Sequence, residues 1–336
     1  MANVAINGLG RIGRATFKIL QETEGLDLVA VNDLMPREQI PYLLRHDSVY
    51  RRYDRPVELE GDRLRTERGT CRIFSEEDPA ALPWADLGVH LVFECTGAFT
   101  RKEDAERHLR AGAGRVILSA PAKGEGIPTV VHGVNRADPA GQIVSCASCT
   151  TNCITPVVEV LKRRVGVERA IMSTTHAYTS TQAILDAPAK KVRRGRAGAI
   201  NLVPTETGAA RATTRVLTDL AGRFDGVAIR APVPVGSLAC VVAVTSRRTR
   251  AEEVNAIFAE EAETDRYRGI VGTTREPLVS TDIVGDSRAC VVDLEMTQVV
   301  DGTLVQVLAW YDNEWGYASQ MVREASRLLE ERFAPL

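Results

Sequence analysis

The chain has no excess of charge of either sign. Its 336 residues include 42 Lys and Arg against 44 Asp and Glu, so the formal net charge is only −2. A balance of this kind gives no overall attraction to nucleic acid or to an anionic membrane surface. We therefore expect neither as the main partner, and any anion that the protein binds must be held by a local site.

Long hydrophobic runs are also missing. Apolar stretches such as LACVVAV at 238–244 fall far short of the roughly 18 residues that a membrane helix needs. The opening MANVAINGLG has no basic segment followed by an apolar core, so we expect no secretory signal. Together these absences predict a cytoplasmic protein without a membrane contact.

Cysteine is not arranged as a disulfide framework. The seven cysteines are an odd number, and Cys146, Cys149 and Cys153 all fall within SCASCTTNC at 145–153. Their spacing superficially suits a metal cluster. No fourth ligand is nearby, however, since the nearest histidines lie 14 residues before Cys146 and 23 residues after Cys153. We expect reduced thiols and no metal site.

The length and hydrophobic content of the chain suit two domains, because 336 residues that are 44% hydrophobic can form two cores. The first half begins with a strand, NVAIN at 3–7, then GLGRIG at 8–13 and an amphipathic stretch. In such a turn the first glycine allows the bend, the second lets the backbone approach a pyrophosphate, and the third lets the helix pack closely. A second strand, 26–31, leads to a carboxylate that can accept hydrogen bonds from a ribose diol. These features predict a dinucleotide site on Gly8, Gly10, Gly13 and Asp33.

Two further apolar runs, at 89–95 and 115–119, are typical of buried parallel strands. The first is followed by Thr96-Gly97 at its carboxyl end, where parallel sheets bind ligands. Between the two runs, 101–112 is interpreted as a polar surface helix with His108 in solvent. The first half is thus predicted to be an α/β domain of the Rossmann type.

A helix that starts near Ser148 would place Cys149 in its first turn. The dipole and the unpaired amides of that turn favour a thiolate. Cys153 follows one turn later on an apolar face and is interpreted as a core residue, as is Cys146 before the helix. A strand-like run, 169–175, ends at His176, which could act as the base for Cys149. On the residues alone, a catalytic and a structural histidine are about equally supported.

Four motifs resemble those of the phosphorylating glyceraldehyde-3-phosphate dehydrogenase family: NGLGRIGR at the start, SCTTNC at 148–153, HAYT at 176–179 and YDNEWGY at 311–317. The resemblance runs nearly end to end. It implies that a Cys149 thiolate attacks an aldehyde and that His176 removes the hydroxyl proton as hydride passes to NAD. Inorganic phosphate then cleaves the thioester. The implied reaction makes 1,3-bisphosphoglycerate from D-glyceraldehyde 3-phosphate, in glycolysis and gluconeogenesis.

The resemblance also implies two phosphate sites, one for the C3 phosphate of the substrate and one for the attacking phosphate. Hydroxyl, amide and guanidinium groups are suitable donors to phosphate oxygens. The implied sets are Thr179, Thr181 and Arg230 for the first site, and Ser148, Thr150, Arg194, Thr207 and Gly208 for the second.

For the cofactor, the resemblance implies NAD rather than NADP, because the acidic Asp33 and Pro188 are both present. An acidic residue at the ribose repels a 2′-phosphate. The further implied cofactor contacts are Arg11 and Ile12 in the pyrophosphate turn, and Ser119 and Asn313 on the nicotinamide side. Thr96 and Gly97 are predicted as cofactor contacts from their place after a strand.

The second half is predicted to be an α+β catalytic domain with a mixed, mostly antiparallel sheet. Asp301-Gly302 is expected to form a hairpin turn. The predicted strands are 169–175, 226–230, 238–246, 289–299 and 303–311.

The segment 178–202 has little periodicity and should be functional or interfacial. By resemblance it reaches a neighbouring subunit in a homotetramer. A final helix at 314–332 is expected to pack back on the first domain. The predicted domains are 1–148 for NAD, 149–316 for catalysis, and 317–336 for the C-terminal helix.

Two alternatives stay open. A relative that acts on erythrose 4-phosphate would share Cys149 and His176, although Arg194 and Thr207 favour the triose enzyme through an intact inorganic-phosphate pocket. The other class is a non-catalytic nucleic-acid-binding or redox-sensing protein on the same fold. The balanced charge and the complete Cys149–His176 pair argue against it.

Overall fold

The computed structural model describes residues 1–138 and 140–333, which divide into two compact units. The first unit contains Met1–His132, Arg136–Ala147 and the described residues from Ala318 onward. The second contains Gly133–Asn135 and Ser148–Tyr317.

The first unit is built on one large sheet. Its helices are α1 (Arg11–Leu20), α2 (Gln39–Arg45) and α3 (Lys102–Arg110), with a short 3-10 helix at Pro79–Ala81. Its strands are β1 (Ala2–Asn7), β2 (Leu26–Asn32), β3 (His46–Asp47), β4 (Arg51–Arg52), β5 (Val57–Glu60), β6 (Arg63–Thr66), β7 (Gly69–Phe74), β8 (Leu91–Glu94), β9 (Arg115–Leu118) and β10 (Ile143–Ser145).

Among the described residues this sheet has eight strands in the order β10-β9-β8-β1-β2-β7-β6-β5. The ladders from β10 to β7 are parallel, and β7-β6-β5 is antiparallel. The central strand β1 is apolar throughout its middle because Val4, Ala5 and Ile6 are buried on both faces. The predicted α/β class is confirmed, whereas the antiparallel edge was not predicted.

The interpretation of α3 as a surface helix with a solvated histidine is wrong. His108 is fully buried, with 0% of its surface exposed, and Ala105 is buried beside it. The sequence KEDAERHLR suggests a helix exposed to solvent because most of its residues are charged. The helix nevertheless turns one narrow face inward, and that face carries the imidazole.

The second unit contains a helix that follows the cysteine motif and a mixed sheet. Its helices are α4 (Cys149–Val165), α5 (Ala209–Val216) and α6 (Ala251–Ala262), with short 3-10 helices at Val192–Gly195 and Thr218–Leu220. A last helix, α7 (Trp315–Phe333), begins here and belongs to the first unit from Ala318 onward. The strands are β11 (Arg169–Ala177), β12 (Val203–Glu206), β13 (Phe224–Ala231), β14 (Ser237–Val244), β15 (Val271–Thr274), β16 (Cys290–Val300) and β17 (Leu304–Tyr311).

In the described part of the second unit the strand order is β12-β13-β11-β14-β17-β16-β15. The pairs β11/β13 and β15/β16 are parallel and the other four are antiparallel, so the mixed sheet is confirmed. Asp301 and Gly302 join β16 to β17 with φ of 46° and 68°. Two consecutive positive φ angles are what a tight hairpin turn requires.

One face of this sheet is core and the other is open. On β11, Met172 is buried while its neighbour Ile171 is 59% exposed. The segment 178–202 that follows is irregular apart from its short 3-10 helix and carries further exposed apolar side chains. No helix in the described residues is both long and apolar enough to cross a membrane.

The glycine turn after β1 generates a test of the fold. A Cβ added at Gly13 would lie 1.9 Å from the Gly8 carbonyl oxygen, whereas one at Gly10 meets nothing within 4 Å. We expect Gly13→Ala to lower the free energy of unfolding by about 1–3 kcal/mol, as overpacking does. Gly10→Ala should stay within about 0.5 kcal/mol of the parent. Urea titration of both variants measures the difference, and equal losses would contradict the close helix packing.

Candidate active site

Cys149 is the first residue of α4. Ser148 caps the helix, and its Oγ accepts a hydrogen bond from the Thr151 amide at 3.2 Å. A serine cap of this kind satisfies one free amide of the first turn and fixes where the helix begins. The half-buried thiol therefore lies beside amides that no helical carbonyl occupies.

The Cys149 Sγ lies 3.3 Å from the Nε2 atom of His176. His176 is buried near the end of β11, and the parallel register of β11 with β13 pairs it with Arg230. The sequence therefore brings together three residues from three elements. A thiol next to an imidazole is the arrangement that a cysteine nucleophile requires.

Arg230 contacts the other side of the imidazole. Its Nη1 lies 2.6 Å from His176 Nδ1 and donates to the Ala177 carbonyl at 2.7 Å. The same carbonyl lies 2.7 Å from Nδ1. Because a guanidinium can only donate, the Arg230 contact requires an unprotonated Nδ1, whereas the Ala177 contact requires a protonated one. The two contacts thus correspond to opposite tautomers of the ring.

Burial governs the protonation of this pair. It raises the pKa of the Cys149 thiol, an effect that the Arg230 charge and the Thr150 amide only partly offset. Burial and the Arg230 charge lower the pKa of His176 to about 3. Both shifts favour an uncharged thiol and imidazole in the free chain, which opposes the thiolate that the first turn of the helix is expected to favour. Desolvation outweighs the helix amides.

Arg230 and Arg194 are cations without a carboxylate partner in the part of the chain that the structure describes. The charge of Arg194 acts on both His176 and Arg230. Its Nε donates to the Thr205 hydroxyl at 3.1 Å, and its Nη1 approaches Thr181 Oγ1 at 3.4 Å. Two guanidinium groups that lack a protein anion suit a phosphate.

The other residues predicted for the phosphate sites are distributed unevenly. Thr179 and Thr181 are joined by their hydroxyls at 2.9 Å, so they share one cluster with Arg194. Thr207 and Gly208 precede α5, and the Thr207 Oγ1 accepts from the Ala209 amide at 3.1 Å. Thr150 is buried, and its hydroxyl is already bonded to a tyrosine.

That tyrosine is Tyr311, which the sequence motifs did not predict as a site residue. Its hydroxyl lies 2.9 Å from both Thr150 Oγ1 and Thr174 Oγ1, and its ring meets the edge of His176. Ser237 was also missed: its Oγ accepts from the Ala177 amide and donates to Asn313 Oδ1 at 3.0 Å. Tyr311 lies within the motif YDNEWGY, whereas nothing in the sequence near Ser237 indicated a role.

The other two cysteines of the motif are separate from the thiol of Cys149. Cys153 faces the Ala309 carbonyl in the core, as predicted. Cys146 is buried in the first unit. Within the described residues no group of three or more His, Cys, Asp and Glu side chains could hold a metal ion.

In the first unit the glycine turn opens onto a cavity of about 510 Å³. Gly8 has a φ of 94°, and Asp33 fixes the turn because its carboxylate accepts from the Leu9 amide at 2.6 Å and the Met35 amide at 2.8 Å. The cavity is lined by Asn7, Gly8, Gly10, Asn32, Asp33, Leu34, Glu76, Glu77, Cys95, Thr96, Ala98 and Phe99.

The remaining predicted cofactor residues do not line this cavity. The Arg11 guanidinium donates to the Asp47 carboxylate at 2.5 Å. Ile12 and Gly13 continue α1, Gly97 has a φ of 72° in the turn after β8, and Ser119 donates its amide to the Glu94 carbonyl.

Two family models match the chain. The glyceraldehyde 3-phosphate dehydrogenase NAD binding domain matches residues 2–102, and the C-terminal domain of the same family matches residues 148–313. The chain is 46% identical over 323 residues to glyceraldehyde-3-phosphate dehydrogenase 2 of Streptomyces avermitilis, with 95% of this chain and 96% of that protein covered. It is 45% identical over 334 residues to the Thermotoga maritima glyceraldehyde-3-phosphate dehydrogenase, with 98% and 100% covered.

Glyceraldehyde-3-phosphate dehydrogenase 1 of Bacillus subtilis is 44% identical over 331 residues, with 98% of each chain covered. The family models match segments in both units, and the relatives align over nearly the full length. With a helix-start cysteine, an adjacent histidine and two unpaired arginines in place, the chain belongs to the glyceraldehyde-3-phosphate dehydrogenase family.

Proposed function

We propose that this protein oxidises D-glyceraldehyde 3-phosphate with NAD and inorganic phosphate, and that it releases 1,3-bisphosphoglycerate and NADH. The observation that supports this most is the 3.3 Å approach of Cys149 Sγ to His176 Nε2 beside two arginines without carboxylate partners. A nucleophile, a base and cations for two phosphates are the groups that this reaction needs.

The residues of the first unit fit NAD. The space in front of Gly10 is open where a pyrophosphate would approach, and Gly13 brings the helix amides close. Asp33 lines the cavity with an oxygen-rich carboxylate that suits a ribose diol and opposes a 2′-phosphate. When bound, NAD accepts the hydride from the substrate carbon.

His176 begins the chemistry by taking the thiol proton on Nε2. That step requires the tautomer whose Nδ1 proton is held by the Ala177 carbonyl. Arg230 can only stabilise the other tautomer, so a phosphate that draws Arg230 away frees Nδ1 for Ala177. Binding of the C3 phosphate by Arg230 thereby prepares His176 as a base.

The Cys149 thiolate then attacks the aldehyde carbon, and the carbonyl oxygen takes the proton back from His176 to give a thiohemiacetal. His176 removes that hydroxyl proton as the hydride leaves the carbon, which produces a thioester on Cys149. An oxygen of inorganic phosphate attacks the thioester, the carbon–sulfur bond breaks, and the sulfur leaves as a thiolate.

The two phosphate sites share neighbours in our proposal. Arg230 and Thr179 hold the C3 phosphate, and the hydrogen-bonded Thr181 and Arg194 lie next to them. The attacking phosphate accepts hydrogen bonds from Arg194 and from groups at the starts of two helices. Thr150 contributes a hydroxyl only when that group turns away from Tyr311. The proposed second set is Ser148, Thr150, Arg194, Thr207 and Gly208.

The proposed reaction is tested by NADH formation from D-glyceraldehyde 3-phosphate. We expect full turnover only with inorganic phosphate present and less with erythrose 4-phosphate, because the relatives that align over nearly the full chain are named for the triose substrate. Cys149→Ser should abolish NADH formation, whereas the matched Cys153→Ser should retain most of it because Cys153 is a core residue. No NADH from either aldehyde, or equal losses in both variants, would sink the proposal.

The Cys149–His176 pair gives a prediction for pH. In the parent, His176 Nε2 lies 3.3 Å from the Cys149 Sγ and can accept the thiol proton, whereas in His176→Asn no base adjoins the thiol and burial keeps the pKa of Cys149 raised. Since the thiolate is the reactive form, iodoacetamide should modify the variant at least about tenfold more slowly at pH 7, with a rate profile displaced to higher pH than that of the parent. His90→Asn, in the first unit, should match the parent. Superimposable profiles for parent and His176→Asn would contradict the pairing.

We also propose that the protein is a homotetramer. The open face of the second sheet and the segment 178–202 expose apolar side chains that a partner copy could cover. Light scattering should give the mass of a tetramer, and a mass equal to that of one chain of 36.6 kDa would refute the assembly. The exposed residues are Ile171, Ile184, Leu185, Val192, Ile200, Leu202 and Val227.

A further inference from the structure

A buried carboxylate lies behind the cavity of the first unit. Glu94 ends β8 and is 2% exposed, yet none of its contacts is with an arginine or a lysine among the described residues. Its Oε2 accepts from Asn7 Nδ2 at 2.6 Å and lies 3.0 Å from His108 Nε2. Its Oε1 accepts from the Thr96 amide at 2.8 Å and from the Thr96 hydroxyl.

Trp84 sets the tautomer of His108. The Trp84 Nε1 lies 3.0 Å from His108 Nδ1, and an indole nitrogen can only donate. Nδ1 must therefore accept, so Nε2 carries the proton and donates it to Glu94. A buried carboxylate is tolerated only when its oxygens are well supplied with donors, and here four are present.

Two residues that contact Glu94 and His108, namely Thr96 and Phe99, line the cavity. Thr96 packs so closely on the turn that a Cβ at Gly8 would lie 2.8 Å from its amide nitrogen. Phe99, which also lines the cavity, meets the His108 ring edge-on at 6.4 Å. Glu94 and His108 thus support Thr96 and Phe99 from behind without lining the cavity themselves.

On the opposite wall, the network continues through two asparagines. Asn7 Oδ1 accepts from Asn32 Nδ2 at 2.7 Å. The Asn32 amide also pairs with the backbone of Glu76, donating to its carbonyl at 2.9 Å and accepting from its amide at 2.8 Å. Asn7, Asn32 and Glu76 all line the cavity. One connected set of hydrogen bonds therefore fixes both walls.

We propose that Trp84, His108 and Glu94 are positioning residues for the dinucleotide: they hold the walls of the cavity at the spacing that NAD needs. The identity of the ligand rests on the proposed function, whereas the positioning role rests on the network. Because each donor in the network has a single orientation that satisfies its neighbour, loss of one member loosens the walls on both sides.

The test is calorimetric binding of NAD to the full chain without aldehyde. Glu94→Gln keeps the shape but places an NH₂ group against donors, and we expect its Kd for NAD to rise about tenfold, which is about 1.4 kcal/mol. At saturating NAD, its kcat and its KM for aldehyde and phosphate should stay within about twofold of the parent. A general loss of stability would not weaken NAD binding while leaving kcat and the other KM values unchanged.

Substitutions at Trp84 and His108 test the same network, and His90 provides a matched control. Trp84→Phe removes one N–H group, and we expect a Kd about threefold above the parent. His108→Leu should weaken NAD binding, whereas His90→Leu should not, because His90 contacts Asn3 at the opposite end of the strands from the cavity. Thermal unfolding without cofactor checks that each variant is folded.

The inference is overturned if folded Glu94→Gln or Trp84→Phe binds NAD as the parent does. It is also overturned if the KM values for all three substrates rise together. Calorimetry needs no turnover, so a chain that binds NAD but oxidises no aldehyde contradicts the proposed function and leaves the inference standing.

Discussion

The site depends on one strand pairing, the parallel register of β11 with β13. It pairs His176 with Arg230 on the next strand, and the start of α4 supplies Cys149. A shift of one residue in that register would turn each side chain to the other face of the sheet. The proposed base and the arginine proposed to bind phosphate therefore depend on the same backbone hydrogen bonds that hold the core of the second unit.

Burial sets the protonation state of the Cys149 thiol and the His176 imidazole. The thiol and the imidazole are desolvated, and the nearest charges are positive, so the free chain holds an uncharged pair beside two cations. The electrostatic complement of such a site is an anion. In our proposal, the phosphate group of the substrate supplies the negative charge that the protein lacks at this point, and its contact with Arg230 both recognises the substrate and activates His176.

Local patterns were enough to predict the parts of the molecule whose geometry is local. The turn at Gly8, the carboxylate of Asp33 and the helix-start Cys149 each follow from a few neighbouring residues. His108 was misjudged because the burial of a residue on a charged helix is decided by Trp84 and Glu94, which are distant in sequence. Tyr311 and Ser237 were missed for the same reason, since their roles arise from contacts across strands. The proposed ligand contacts themselves rest on the family resemblance.

The open face of the second sheet has a consequence for how the protein is handled. A sheet that leaves Ile171 and Val227 exposed on one side is completed, in our proposal, by copies of itself. Association that favours the folded chain makes stability a function of protein concentration through mass action. Dilution alone would then loosen the strands that carry His176 and Arg230, and activity per chain would fall in very dilute solution even at a temperature where a concentrated sample is unaffected.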